Sequence, residues 1–237
     1  MPFETPLAPP RRIAVLGAGI SGMGAAHLLA DRHRVTLIEA EPRLGGHART
    51  KIAGKRGDQP VDTGFIVFNE PNYPHLTSLF TALGVPRSDS NMSFAASIRG
   101  GWLEYGLNDN GLAGLFGQRR NLGRPRFLKM LRDIVRFNAQ AEKVVAGRPD
   151  MTTEELIAAL GLGRAFREHY LEPFSGAIWS TPVDQVLAFP AQAMVRFFRN
   201  HALMSYEGTH QWYTVPGGSI EYVRRLDAAM RAQGVEI

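Results

Sequence analysis

An α/β fold is predicted by three observations near the start of this 237-residue chain. The apolar run Arg12-Ile13-Ala14-Val15-Leu16 enters a turn of the pattern G-x-G-x-x-G, Gly17 to Gly22. A small-residue segment with helical character leaves the turn. A second apolar run, Val35-Thr36-Leu37-Ile38, then ends in the acid Glu39. Strand, helix, strand and acid in this order make a βαβ unit of the Rossmann-like kind, shaped to hold a dinucleotide.

Each part of the unit has a physical task. Gly17 permits the tight turn, Gly19 lets a pyrophosphate approach the backbone, and Gly22 lets the helix pack against the strand. The helix begins at Ile20 and Ser21, where free N–H groups and the positive dipole end face the phosphates. Glu39, followed by Ala40, is placed to accept hydrogen bonds from ribose hydroxyls, which points to a ribose without a 2′-phosphate.

A second glycine pair follows in Glu39-Ala40-Glu41-Pro42-Arg43-Leu44-Gly45-Gly46-His47. A strand-like run comes after it, Val61-Asp62-Thr63-Gly64-Phe65-Ile66-Val67-Phe68. Nicotinamide dehydrogenases do not need this addition. The stretch resembles the flavin-containing amine oxidoreductase superfamily, which includes amine oxidases, protoporphyrinogen oxidase and the carotenoid desaturases. Its members carry E-x-x-x-R-x-G-G-R at this place and a D-x-G motif further on. The resemblance implies an FAD-dependent oxidoreductase. It implies that Arg43, Gly45 and Gly46 line the pyrophosphate and ribityl path of FAD, and that Asp62, Thr63, Gly64 and Phe65 run close to the flavin. His47 stands where most members have arginine, so a permanent charge is replaced by a group that is mostly neutral at pH 7. In that respect, and in the wording Val-Asp-Thr-Gly-Phe-Ile-Val-Phe-Asn, the chain looks more like a bacterial branch of NAD/FAD-binding proteins. A surface histidine without cofactor contact is the plainer reading of His47.

The resemblance continues further along. Residues 166–179, from Phe166 to Trp179, are similar to the superfamily segment that crosses from the substrate domain towards the flavin. Tyr213-Thr214-Val215-Pro216-Gly217-Gly218-Ser219, followed by an apolar helix and Gly234-Val235-Glu236-Ile237, looks like its later P-x-G-G-x motif, helix and strand. In agreement, Ile220, Val223, Leu226 and Met230 have helical spacing, and Gly234 is a helix stop before a strand opening at Val235-Glu236-Ile237. The family continues past this point, so the chain reads as the N-terminal portion of a longer flavoprotein, a minimal variant that folds alone being the other reading. The expected organisation is discontinuous: residues 1–70 as the first part of an FAD-binding domain, 71–210 as an inserted, mainly helical substrate or cap region, and 211–237 as a return to the FAD-binding domain.

Helical spacing recurs through the inserted region, over Tyr73 to Leu83, Pro125 to Val145, Thr153 to Leu160 and Ala191 to His201. Thr152-Thr153-Glu154-Glu155 offers a helix cap with acids in the first turn. Met92 to Ile98 and Gly101 to Tyr105 read as a hairpin turning near Arg99-Gly100. The span Asn108 to Gly123 is the most loop-like.

Composition sets limits on chemistry. At 44% hydrophobic and 21% charged the chain is ordinary for a folded protein. Cysteine is absent, which excludes disulfides, thiolate metal sites and cysteine-based flavin attachment. No H-x-x-x-H or H-E-x-x-H spacing occurs among the histidines, so no metal is expected. Ser21 and Ser175 lack a nucleophile-elbow context. Flavin chemistry needs no catalytic acid or base motif, and none is assigned. The aromatics Tyr170, Trp179, Trp212 and Tyr213 read either as a substrate tunnel or as core.

The apolar runs fall well short of the ~20 residues a membrane span requires, and prolines interrupt Met1 to Arg12 where a signal peptide has its apolar core. A cytoplasmic location is expected. The net charge is +5, and only Lys51, Lys55, Lys129 and Lys143 among the 27 basic residues are lysine. Arg119, Arg120, Arg124, Arg126, Lys129, Arg132 and Arg136 crowd one stretch against a single acid, Asp133. Phe127, Leu128, Leu131, Ile134 and Val135 give the same stretch an apolar face. It reads as a peripheral contact with an anionic membrane surface through residues 119–137, or as a helix whose arginines are merely solvated. No nucleic-acid-binding module accompanies the charge. The expected reaction is removal of hydrogen from a C–C or C–N bond of an apolar small molecule, of the lipid or isoprenoid kind. Amine oxidation and a non-catalytic dinucleotide-binding fragment are the alternatives.

Overall fold

The computed structural model describes residues 9–107, 112–179, 182, 185–204 and 210–237. They form two compact units, the first from residues up to Ser90 together with Gln211–Ile237, the second from Asn91–His210.

The first unit opens with β1 (Arg12–Leu16), α1 (Ile20–Ala30) and β2 (Arg34–Ile38). The strands pair in parallel, Arg12 opposite Arg34 and Leu16 opposite Ile38, so a crossover element must join them, and α1 is that element. Next come the antiparallel strands β3 (Thr50–Ala53) and β4 (Gln59–Asp62), joined through Gly54 and Gly57 at φ of 86° and 66°. The expected strand from Val61 to Phe68 is therefore split. Pairing with β3 ends at Asp62, and Phe68 makes a separate antiparallel bridge to Tyr213. α2 (Pro74–Ala82) starts with proline in its first turn, where a missing N–H costs nothing. β5 (Ser88–Ser90) closes this part.

In the second unit, β6 (Phe94–Ile98) and β7 (Leu103–Leu107) form the expected hairpin, with Arg99, Gly100 and Gly101 all at positive φ in its turn. Of the loop-like span, residues 108–111 lie outside the described part. The rest holds α3 (Leu112–Leu115) and a 3₁₀ turn at Arg119–Gly123. α4 (Pro125–Val145) has the bounds its spacing predicts, and turns Phe127, Met130, Ile134, Phe137, Ala141 and Val145 inward. α5 (Thr153–Ala159) carries a complete capping box: Thr152 accepts from the Glu155 N–H, and Glu155 accepts from the Thr152 N–H. α6 (Arg164–Phe166) runs through a π-helical turn at Arg167–Leu171 into α7 (Glu172–Trp179), and α8 (Ala191–Asn200) follows. The core is aromatic, with Phe137, Phe166, Tyr170, Phe174 and Phe198 in successive ring contacts. Tyr170 is thus core and not tunnel lining.

The chain returns to the first unit with β8 (Trp212–Thr214), antiparallel to β5, and α9 (Ile220–Ala232). Thr36 then makes a parallel bridge to Glu236: the Leu37 N–H donates to the Glu236 carbonyl at 2.7 Å and the Glu236 N–H to Val35 at 3.1 Å. Met23 and Ala26 of α1, Leu37 of β2, and Tyr222, Leu226 and Met230 of α9 share one core with Phe68 and Phe80. This packing moves the first boundary. The expected break at residue 70 would separate Phe80 from Phe68 and Tyr222, whose rings it meets at 5.2 Å each, and β5 from β8. The unit keeps residues 71–90 for that reason.

Candidate functional site

The turn after β1 is shaped by backbone contacts that side chains would forbid. Gly17 lies at φ 88°, and its N–H donates to the Ile38 carbonyl at 2.7 Å, tying the turn to the end of β2. A Cβ on Gly22 would fall 1.8 Å from the Gly17 carbonyl oxygen, whereas a Cβ on Gly19 would meet nothing within 4 Å. Gly22 is therefore glycine for packing, and Gly19 leaves an open approach to the backbone. The first helical donor with a partner upstream is Met23, which bonds the Gly19 carbonyl at 2.9 Å. The N–H groups of Ile20, Ser21 and Gly22 precede it and have no i−4 partner by helix geometry.

Glu39 sits directly after β2. Its Oε2 accepts from the Ala18 N–H at 2.6 Å and its Oε1 from the Glu41 N–H at 2.9 Å. The Glu41 N–H foremost and then that of Ala18 hold the Glu39 carboxyl below the usual carboxylate value of 4.5, against an opposing effect of burial, with lesser help from the Ala40 N–H and the Arg43 charge. The carboxylate is thus fixed beside the glycine turn in its charged form.

The second glycine pair folds back onto the first. The Gly45 N–H donates to the Ala18 carbonyl at 2.7 Å, Gly19 and Gly45 form a parallel bridge, and a Cβ on Gly46 would approach the Gly19 Cα to 2.9 Å. Gly45 lies at φ 104° and packs under Val223 of α9. Arg43 braces this loop from within, donating to the carbonyls of Gly46 at 2.9 Å and Ala48 at 3.5 Å. His47 is exposed, and its carbonyl faces Gly64 so closely that a Cβ there would sit 2.0 Å away. The Phe65 N–H donates to the same carbonyl at 3.4 Å, and Thr63 bonds the Arg49 carbonyl through both its N–H and its hydroxyl. The Phe65 ring packs against Phe68 and Tyr222.

Asp62 has partners within the protein. Its carboxylate accepts from the Thr50 hydroxyl at 2.6 Å, from the Ser219 hydroxyl at 2.7 Å and from the Ser219 N–H at 3.0 and 2.9 Å. The Thr50 hydroxyl in turn accepts from the Ile220 N–H at 3.1 Å. Asp62 and Thr50 therefore satisfy the free donors at the start of α9. The sequence motifs leave out Thr50 and include Ser219 only as the end of the P-x-G-G-x segment, with no role assigned to it. The Gly217-Gly218 pair before α9, at φ 85° and 93°, was the available signal, but nothing in its spacing names a partner 157 residues away.

Residues 15–83 match the family described as NAD(P)-binding Rossmann-like domain. The L-amino-acid oxidase of Vipera ammodytes ammodytes is 47% identical over 49 residues, 20% of this chain and 10% of that protein. Among solved structures, the cyclohexylamine oxidase of Brevibacterium oxydans has a TM-score of 0.60 at 22% identity, over 95% of this chain and 50% of its own. A redesigned putrescine oxidase gives 0.64 at 18% identity, over 95% and 51%. An oxidoreductase of Methanosarcina mazei gives 0.58 at 16% identity, over 96% and 50%. The chain spans about half the length of these solved relatives, and the overall fold is theirs. Residues 15–83 thus form an NAD(P)-binding Rossmann-like domain, and the fold of the chain is similar to that of solved amine oxidases.

Proposed function

We propose that the chain supplies the dinucleotide-binding part of an FAD-dependent oxidoreductase that removes hydrogen from a C–C or C–N bond of an apolar substrate. The observation that carries this reading is the second glycine loop hydrogen-bonded onto the first, with the Glu39 carboxylate fixed beside both. The residues fit such a group. Gly19 would leave the pyrophosphate an open approach, the first-turn N–H groups of α1 would face its charge, and Glu39 would accept from the adenosine ribose. Arg43 orients the loop that carries Gly45 and Gly46. FAD, when bound, supplies the hydride-accepting ring, and the protein supplies orientation and exclusion of water.

Oxidation of a C–N bond is the second reading. It is favoured by the names of the relatives: an L-amino-acid oxidase, a cyclohexylamine oxidase and a putrescine oxidase. Titration of the 237-residue chain with FAD, followed by flavin fluorescence, tests the cofactor. Saturable binding that NADP does not displace is expected, and the absence of binding overturns the proposal. Anaerobic bleaching of the bound flavin by primary amines, compared with acyl-chain substrates, separates the two bond classes.

A further inference from the structure

We infer that the outer face of α4, with the hairpin turn beside it, docks on the surface of an anionic phospholipid bilayer. The inference stands on the second unit alone and is independent of the FAD reading.

The seven cations of this stretch divide by their partners. Arg120 and Arg124 are structural. Arg120 donates to the Gly101 carbonyl at 2.5 Å and the Trp102 carbonyl at 3.2 Å. Arg124 donates to Trp102, Gln118 and Asn121 and lies 4.9 Å over the Trp102 ring. Together they lock the β6–β7 turn onto the start of α4. Lys129 lies along Gly163, where a Cβ would meet its ammonium at 3.3 Å. Arg119, Arg126 and Arg136 are exposed, and among the described residues none has an ion-pair or hydrogen-bond partner. Arg132, 69% exposed, touches only the buried Asp133 at 3.4 Å. Elsewhere Arg56, Arg87, Arg164, Arg167, Arg199, Arg224 and Arg231 pair with acids. Arg12, Arg32 and Arg34 of the first unit do not among the described residues, but they are spread along β1 and the turn into β2 without a run of exposed leucine and valine on one helix face. The one acid within the stretch is thus withdrawn into the core, where it accepts from the Gly163 N–H at 2.9 Å.

Apolar side chains are interleaved with the free cations. Leu122 is 60% exposed, Leu128 43%, Val135 53% and Trp102 37%, four of the five large exposed hydrophobics described in this unit, Phe189 being the fifth. Leu128, Arg132 and Val135 stand at i, i+4 and i+7 on one stripe of α4, with Arg136 beside them. A cleft of about 420 Å³ opens at the same end, lined by Trp102, Phe127, His169 and two arginines, with no acid in its walls.

This combination selects the partner. Free guanidiniums match an anionic surface, and leucine and valine between them match the acyl boundary beneath the headgroups. A nucleic-acid phosphate backbone would satisfy the charges but leave Leu122, Leu128 and Val135 without a counterpart. No described helix is long and apolar enough to cross a membrane.

Sedimentation of the 237-residue chain with vesicles tests the inference. Binding to phosphatidylglycerol-containing vesicles and not to pure phosphatidylcholine is expected. It should fall as salt rises from about 0.1 M to about 1 M, which shortens the screening length from about 10 to about 3 Å. Each surface cation adds about fivefold to partitioning, so Arg119→Gln/Arg126→Gln/Arg136→Gln should weaken binding about a hundredfold. The control Arg12→Gln/Arg32→Gln/Arg34→Gln removes the same charge from the first unit and should bind like the parent. Leu128→Gln/Val135→Gln keeps the charge and should weaken binding without changing its salt slope, which distinguishes insertion from simple ion pairing. Circular dichroism confirms that each variant is folded. No binding to anionic vesicles, equal binding to neutral ones, an unaffected triple variant, or displacement of the vesicles by duplex DNA would each overturn the inference.

Discussion

Gly19 and Gly22 stand three residues apart and are glycine for different reasons. At Gly19 the backbone is ordinary, φ −72° and ψ 177°, and a Cβ would meet nothing within 4 Å. Gly19→Val should therefore fold normally, with its melting temperature close to the parent's. Its side chain would occupy the approach a pyrophosphate needs, and FAD affinity should drop more than about tenfold. Full FAD affinity in that variant would remove the pyrophosphate from this turn. Gly22→Ala should do the reverse and fail first in stability, because its methyl carbon falls 1.8 Å from a carbonyl oxygen. Glu39 gives a pH test. Its carboxyl is held below 4.5 chiefly by the Glu41 and Ala18 N–H groups, so its contribution to FAD binding is present at and above that value. Affinity should be flat from about pH 8 to about pH 5 and decline only as pH falls through the depressed value. Glu39→Ala should weaken FAD at every pH in that window. These glycines and this acid were legible in the sequence because the turn, the strand before it and the acid after it are all local. The roles of Arg43 and Asp62 were not, since a motif names residue types and leaves open which atoms they bond.

α9 shows what was hidden at the scale of elements. Its apolar spacing predicts a helix, and one forms over Ile220–Ala232, but the groups that start it come from β3 and β4. Asp62→Ala removes the acceptor of the Ser219 N–H and hydroxyl and leaves the Thr50 hydroxyl without its carboxylate. By analogy with helix caps, a loss of about 1 to 2 kcal/mol is expected in urea unfolding. Asp62→Asn keeps an acceptor and should lose less. Equal stability of parent and Asp62→Ala would show that the cap is idle. The run from Val61 to Phe68 is the contrasting case. Its apolar content reads as one strand, yet Gly64 must let the backbone pass the His47 carbonyl, and the chain leaves β3 after Asp62. A close approach between distant segments leaves no periodic trace. α4 left a full one, because its buried face repeats at helical spacing over 21 residues and a proline marks its start.

Two separate cores decide how the molecule as a whole responds to damage. Phe137 is fully buried among Phe166, Phe198 and their neighbours, and Met23 is fully buried among Leu37, Leu226 and Met230. The two clusters share no residue. The boundary between the units was only partly readable from the chain, because residues 71–90 join the first unit through Phe80 and β5, whose partners lie before and far after them in sequence. Substitutions in the two cores should accordingly part company. Phe137→Ala is expected to cost about 3 to 5 kcal/mol of the second unit's stability through lost burial and the cavity left behind. FAD affinity should stay within about twofold of the parent, since every residue assigned to the cofactor lies in the first unit. Met23→Ala is expected to cost about 2 to 5 kcal/mol, and it sits in the turn of α1 that follows Gly22. It should lower FAD affinity together with stability. Thermal unfolding followed by both flavin fluorescence and circular dichroism distinguishes the cases: flavin release should shift with Met23→Ala and remain in place with Phe137→Ala. Coincident shifts in both variants would mean that the two cores unfold as a single cooperative body.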